Sequence, residues 1–138
     1  MASIAVHHIA IACADPQVIE QFYTEHFGFR RTRAIPVGDS AIVFLKLGAC
    51  YLELFQATAP APVPPPARDG PWFPGWRHLA FMVDDVDATL AAMGAAARVT
   101  LGPLSFDDFI PGWRTAWLAD PEGNIVEISQ GYTDPEGA

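Results

Sequence analysis

The chain repeats itself. The stretch HIAIACADPQV from His8 lies over HLAFMVDDVDA from His78, and in each copy an aspartate, Asp15 or Asp85, stands seven residues after the histidine. Similarity between stretches that begin at His8 and His78 means one supersecondary unit used twice, so the whole chain must be read as two matching halves. Each half reads as a strand, a helix and then three strands.

The first half sets the pattern. Ser3 to Ala12 alternates and is β-rich, which predicts a strand. Asp15 followed by Pro16 is an N-cap with proline at the first helical position, and Gly28 is a helix stop. FRRTRA and AIVFLKL predict strands joined through Gly38-Asp39, and CYLELFQ predicts a third. TAPAPVPPPARDGPWFPGW then carries too much proline for regular structure, so Ala57 to Gly75 reads as a linker or lid. In the second half WRHLAFMV is a strand, Asp85 caps the helix VDATLAAMG, and ARVTL, RTAWLAD and IVEISQ are strands. PLSFDDFIPGW reads as an aromatic loop, and Asp120, Pro121, Gly123 and Asn124 as a structural turn. The expected organisation is one domain of 138 residues, with module one over about 3–57, the linker over 57–75, module two over about 76–130 and a frayed tail over 132–138. The fold class is α+β.

Composition narrows the partners. With 51% hydrophobic and 17% charged residues the chain can bury a core. A formal net charge of −8 argues against nucleic acid and against an anionic membrane face. Two cysteines without CxxC spacing make no disulfide framework. MASIAVHH has no basic region followed by an apolar run, so no signal peptide is expected and the cytoplasm is the expected compartment.

Strand alternation selects the chemistry. His8 shares a face with Ala10 and Ala12, where small residues leave room for a pocket, whereas His7 lies with Ile9 and Ile11. Glu53 shares a face with Tyr51 and Phe55, His78 with Ala80 and Met82, and Glu127 with Ile125 and Ser129. Thus the first and last strand of each half carry one histidine and one glutamate on the pocket face. A mid-strand carboxylate among apolar neighbours is costly unless it is paired or bound to metal. Two imidazoles and two carboxylates suit one divalent ion per chain, with Ni, Co, Mn, Fe and Zn all admissible. His7 and His26 are read as structural. The aromatic residues Tyr51, Phe55, Trp76, Phe109 and Trp113 are candidates for gripping a substrate, and Arg68, Arg77 and Arg114 lie near the same loops.

With its paired βαβββ modules and the motifs HHIAIACADP, YLELF, GWRHLAFMVDDVDA and DPEGNIVEI, the chain resembles the vicinal oxygen chelate superfamily over about residues 4–130. That superfamily includes glyoxalase I, methylmalonyl-CoA epimerase, extradiol dioxygenases and the fosfomycin and bleomycin resistance proteins. The resemblance implies two tandem modules forming a half-open β-barrel around a metal site, with His8, Glu53, His78 and Glu127 at the four metal positions. Glutathione-using glyoxalases carry an arginine four residues after the first histidine and an asparagine four after the first glutamate. Ala12 and Ala57 stand at those places.

Four protein ligands leave two positions of an octahedron, enough for a chelating oxygen substrate and with no place for dioxygen. The ion with two carboxylates and two neutral imidazoles is neutral. Both points favour redox-neutral proton transfer next to a carbonyl. The expected function is a glyoxalase-like lyase or an isomerase/epimerase acting on a small metal-chelating carbonyl compound, with Glu53 or Glu127 as base. The alternatives are an iron-dependent ring-cleaving dioxygenase and an aromatic drug-binding resistance protein. Exposed sheet edges predict a homodimer.

Overall fold

The computed structural model describes residues 2–138. The chain forms two units, residues 1–64 and 65–138. In the first, β1 (His8–Cys13), α1 (Pro16–Phe27), β2 (Arg30–Val37), β3 (Ser40–Leu47) and β4 (Cys50–Gln56) follow in order. In the second, β5 (Leu79–Met82), α2 (Val86–Met93), a short 3-10 turn, β6 (Arg98–Ser105), β7 (Arg114–Ala119) and β8 (Ile125–Gln130) repeat the plan. The sheet orders are β1-β4-β3-β2 and β5-β8-β7-β6, so each unit is one βαβββ module with an open four-stranded sheet.

Helix α1 starts and stops where its end residues dictate. Asp15 accepts from the amides of Gln17 and Val18, and Pro16 occupies the first turn. Gly28 adopts φ 77°, a left-handed cap that a side chain would strain. Asp85 caps α2 by accepting from the Ala88 amide. Each helix covers one face of its own sheet. In unit one Ile19, Phe22 and Tyr23 are buried with Val43, Leu45, Leu52 and Leu54. The cross-strand pairs Val43–Leu54 and Leu45–Leu52 put these four on one face, and burying each side chain contributes roughly 2 kcal/mol. In unit two Val86 and Met93 are buried with Ala116, Leu118, Val126 and Ile128. The pairs Ala116–Ile128 and Leu118–Val126 repeat the arrangement. Alternation therefore leaves Glu53 and Glu127 on the faces opposite these pairs.

Several boundaries differ from expectation, among them that of β2, which runs to Val37 rather than Ala34. β1 begins at His8 rather than Ser3, because its parallel partner β4 begins at Cys50 and gives the residues before His7 nothing to pair with. β5 begins at Leu79 for the same reason, since β8 begins at Ile125. β6 runs through Ser105, beyond the expected end at Leu101. Its pairing jumps from Leu101–Trp117 to Leu104–Thr115, so Gly102 and Pro103 bulge opposite Ala116. A proline is tolerated there because β6 is an edge strand. Among the described residues no helix is long and apolar enough to cross a membrane.

Candidate functional site

The two glutamates occupy equivalent places in their sheets. In the parallel pair β1–β4, Ala10 stands opposite Glu53, and in β5–β8 Ala80 stands opposite Glu127. Each alanine lies two residues after the histidine of its half. An aromatic faces each glutamate from the next strand, Phe44 on β3 and Trp117 on β7. Each aromatic meets its histidine edge-on, with centroids 6.0 Å apart for His8–Phe44 and 6.5 Å for His78–Trp117. Neither Phe44 nor Trp117 was among the candidates read from sequence. Their signal lay in the repeat, since both sit one strand away from a site glutamate.

In unit one His8 Nε2 lies 3.9 Å from Glu53 Oε1, and His8 is the one ion-pair neighbour of Glu53 among the described residues. In unit two His78 Nε2 lies 2.6 Å from Glu127 Oε2. The second pair is more tightly built. Thr115 Oγ1 stands 2.7 Å from Glu127 Oε1, so both carboxylate oxygens have a neighbour. Asp69 Oδ1 lies 3.0 Å from His78 Nδ1, an ion-pair contact without the alignment of a hydrogen bond. Asp69 Oδ2 accepts from Arg77. Burial pushes the Asp69 carboxyl upward, but the contacts with His78 and Arg77 outweigh it and hold the group below the ordinary carboxylate range. Asp69 and Thr115 were also not read as site residues. Asp69 is the single acidic residue in the proline-rich segment, which was its only sequence signal.

The donor chemistry fits a divalent ion. Adjacent ligands about 2.1 Å from an octahedral ion are themselves roughly 3 Å apart. The two imidazole–carboxylate separations, 3.9 and 2.6 Å, bracket that distance. Among the described residues no group of three or more histidine, cysteine, aspartate or glutamate side chains is gathered closely enough to hold an ion. Each unit holds one histidine–glutamate pair.

The aromatic candidates divide. Tyr51 stacks on His7 with centroids 4.8 Å apart and lies under the Lys46 ammonium, and Phe55 shares its face of β4, opposite Ala12. Trp113 is half-buried and donates through Nε1 to Ser129 Oγ at 3.0 Å, on the face of β8 that carries Glu127. Trp76 is fully exposed and Phe109 is 77% exposed. His7 behaves differently from a strand residue. It precedes β1, and its Nδ1 lies 2.8 Å from His8 Nδ1 instead of on the opposite side of the sheet. The segment after Pro65 is part of unit two, where Arg68, Asp69, Trp72 and Arg77 line an open cleft of about 280 Å³ with Leu101 and Trp117.

Comparison with known proteins agrees with this architecture. The chain is 34% identical over 130 residues to the uncharacterized protein YaeR of Escherichia coli (strain K12), covering 89% of this chain and 93% of that one. It is 32% identical over 146 residues to a 2-epi-5-epi-valiolone epimerase of an Actinomyces species, covering 91% and 79%. The crystal structure of a glyoxalase family protein from Enterococcus faecalis superposes with a TM-score of 0.69 at 29% identity, covering 91% of this chain and 96% of that one. The sequence profile of one family matches residues 5–128, nearly the whole length of both modules, and the chain belongs to that family, the Glyoxalase/Bleomycin resistance protein/Dioxygenase superfamily.

Proposed function

We propose that the protein is a divalent-metal-dependent isomerase/epimerase or lyase that moves a proton on a small, metal-chelating carbonyl compound. The observation that carries this reading is the repeated His–Glu pair, His8 with Glu53 and His78 with Glu127, at matching sheet positions in both modules. The likeness to an epimerase supports the reaction class. In this reading the four side chains hold one ion, and the active protein is a homodimer in the cytoplasm. Such an ion supplies Lewis acidity toward a carbonyl oxygen, which acidifies the neighbouring C–H.

The protein's own residues then divide the work. Glu127 is fixed between Thr115 and His78, so its part is to hold charge in place. Glu53, with His8 3.9 Å away as its one ion-pair neighbour among the described residues, is the carboxylate better able to turn toward a substrate and accept a proton at Oε. The imidazoles would bind the ion through Nε2, the nitrogen that each turns toward its glutamate. Tyr51 and Phe55 flank Glu53 on its face of β4 and offer an apolar wall.

The test is exchange of substrate protons into deuterated water across a panel of small α-hydroxy and α-keto compounds. Glu53→Gln keeps an oxygen donor but removes the basicity, so it should retain metal and lose exchange by about 100-fold or more. If Glu53→Gln and Glu127→Gln both exchange at the wild-type rate with metal in place, neither carboxylate is the base. Oxygen uptake by the iron-loaded protein would select the dioxygenase reading instead. Tight binding of an aromatic ligand that survives chelation, without turnover, would select sequestration.

A further inference from the structure

Arg68 is a cation without a counter-ion. Its guanidinium carbon lies over the Trp72 ring, 5.6 Å from the centroid, and it makes no ion pair among the described residues. Its planar fork of N–H donors is therefore left for another acceptor. The neighbouring cation is different, because Arg77 pairs with Asp69. Arg68, Arg77 and Asp69 all line the open cleft of unit two. Two guanidiniums and one carboxylate leave the cleft with one uncompensated positive charge, on a chain whose formal net charge is −8.

The rest of the cleft is apolar, with Trp72, Leu101 and Trp117 as walls. Its volume of about 280 Å³ suits a small molecule. Trp72 reaches its place under Arg68 because residue 70 is glycine. A Cβ on Gly70 would stand 2.3 Å from Trp72 Cε2, so any side chain there displaces the indole. The cleft also adjoins the His78–Glu127 pair. Trp117 is one of its walls, pairs across the sheet with Glu127 and meets the His78 ring edge-on.

We infer that this cleft is a carboxylate-binding subsite, in which Arg68, held over Trp72, takes the acid group of a small substrate with an apolar body. The inference rests on the proposed function and narrows it: the metal-chelating carbonyl compound is the anion of a carboxylic acid. A guanidinium meets a carboxylate through two parallel N–H···O bonds, a geometry that an ammonium does not reproduce. One free guanidinium also neutralises one charge. A phosphate dianion would leave a second charge against apolar walls, which is costly.

The test uses benzoate, with benzamide as a neutral molecule of the same shape. Calorimetry on the protein as purified gives the affinity. The indole N–H signals, assigned through Trp→Phe variants, give the place. Benzoate should shift the signals of Trp72 and Trp117 and leave that of Trp113, which does not line the cleft, unmoved. Benzamide should bind at least about 10-fold more weakly. Arg68→Gln should weaken benzoate binding by about 10-fold or more, and Arg68→Lys by a smaller factor. Gly70→Ala should weaken it too, by moving Trp72, and circular dichroism checks that each variant folds. Equal affinity for benzoate and benzamide, or for benzoate in wild type and Arg68→Gln, would overturn the inference. So would Arg68-dependent binding of inorganic phosphate without binding of benzoate. The titration reads binding and not turnover, so the two readings fail separately. Arg68-dependent benzoate binding in a protein that exchanges no substrate proton keeps the subsite and removes the reaction. Exchange by neutral carbonyl compounds alone, with no benzoate binding, keeps the reaction and removes the subsite.

Discussion

Thr115 Oγ1 lies 2.7 Å from Glu127 Oε1 and 2.9 Å from the Ile128 carbonyl, and its one proton serves these two acceptors. Thr115 is 1% exposed, so water does not readily replace it. Thr115→Val keeps the shape and removes the hydroxyl, leaving both acceptors short of a donor. The expected cost is about 1–3 kcal/mol in unfolding free energy, read from denaturant midpoints. Thr115→Ser, which retains the donor, should recover most of it. Equal losses in Val and Ser would mean that the methyl group, not the hydroxyl, matters there.

His7 separates a contact from a requirement. Its ring stacks on Tyr51 and its Nδ1 meets His8 Nδ1, yet both histidines are exposed. Water can replace an exposed partner at little cost. His7→Ala is therefore expected to keep the metal, with affinity changed by no more than about threefold. Metal loss in His7→Ala as complete as in His8→Ala would make His7 a ligand and would displace the assignment based on the strand register.

Asp107 is engaged by its own loop. Its carboxylate accepts from the Gly112 amide at 2.7 Å and from Ser105 Oγ at 2.8 Å. The Gly112 bond, then the Ser105 bond, holds its pKa below the ordinary aspartate value. A lowered folded-state pKa means that this carboxylate's contribution to loop order is present above the ordinary aspartate range. It is lost as pH falls through the folded value. Hydrogen exchange at the Gly112 amide should thus be slow at neutral pH, after correction for intrinsic rates, and lose protection in strong acid. In Asp107→Asn the acid-induced loss should be absent. Identical acid profiles in the two proteins would assign the protection to something other than this carboxylate.

Much of this was legible in the sequence because the repeat and the helix punctuation are local signals. Asp15-Pro16 and Gly28 mark both ends of α1, and alternation put Glu53 and Glu127 on the faces away from the helices. What the sequence did not disclose depends on pairing partners. β1 could not be trimmed to His8 without knowing that β4 starts at Cys50, and with β1 trimmed the alternation argument no longer governs His7. Thr115 reads as an ordinary strand residue until its register next to Glu127 is known. Asp69 is harder still. A proline-rich segment has no period from which to infer where a side chain goes, so its approach to His78 is visible only in the fold.

The inequality of the halves gives a ranking that matching strand registers alone would not produce. His78 is flanked by Glu127 at 2.6 Å and Asp69 at 3.0 Å, and Glu127 is itself held by Thr115. His8 is exposed at 40% of its side chain and stands 3.9 Å from a glutamate with no other ion-pair neighbour among the described residues. A ligand already held in geometry gives up less rotamer freedom on binding, so more of its interaction appears as affinity. Replacing the better-held ligand should therefore cost more. His78→Ala is expected to weaken Co(II) binding by at least about 100-fold, at or beyond the upper end of what an outer partner contributes. His8→Ala should weaken it by a smaller factor, and Glu53→Ala should likewise cost less than Glu127→Ala. Titration of the four metal-free variants with Co(II) against a competing chelator gives the order directly. Equal losses at His8 and His78 would show that the ion draws both halves into the same geometry, and pre-organisation in the second module would then carry no weight in binding.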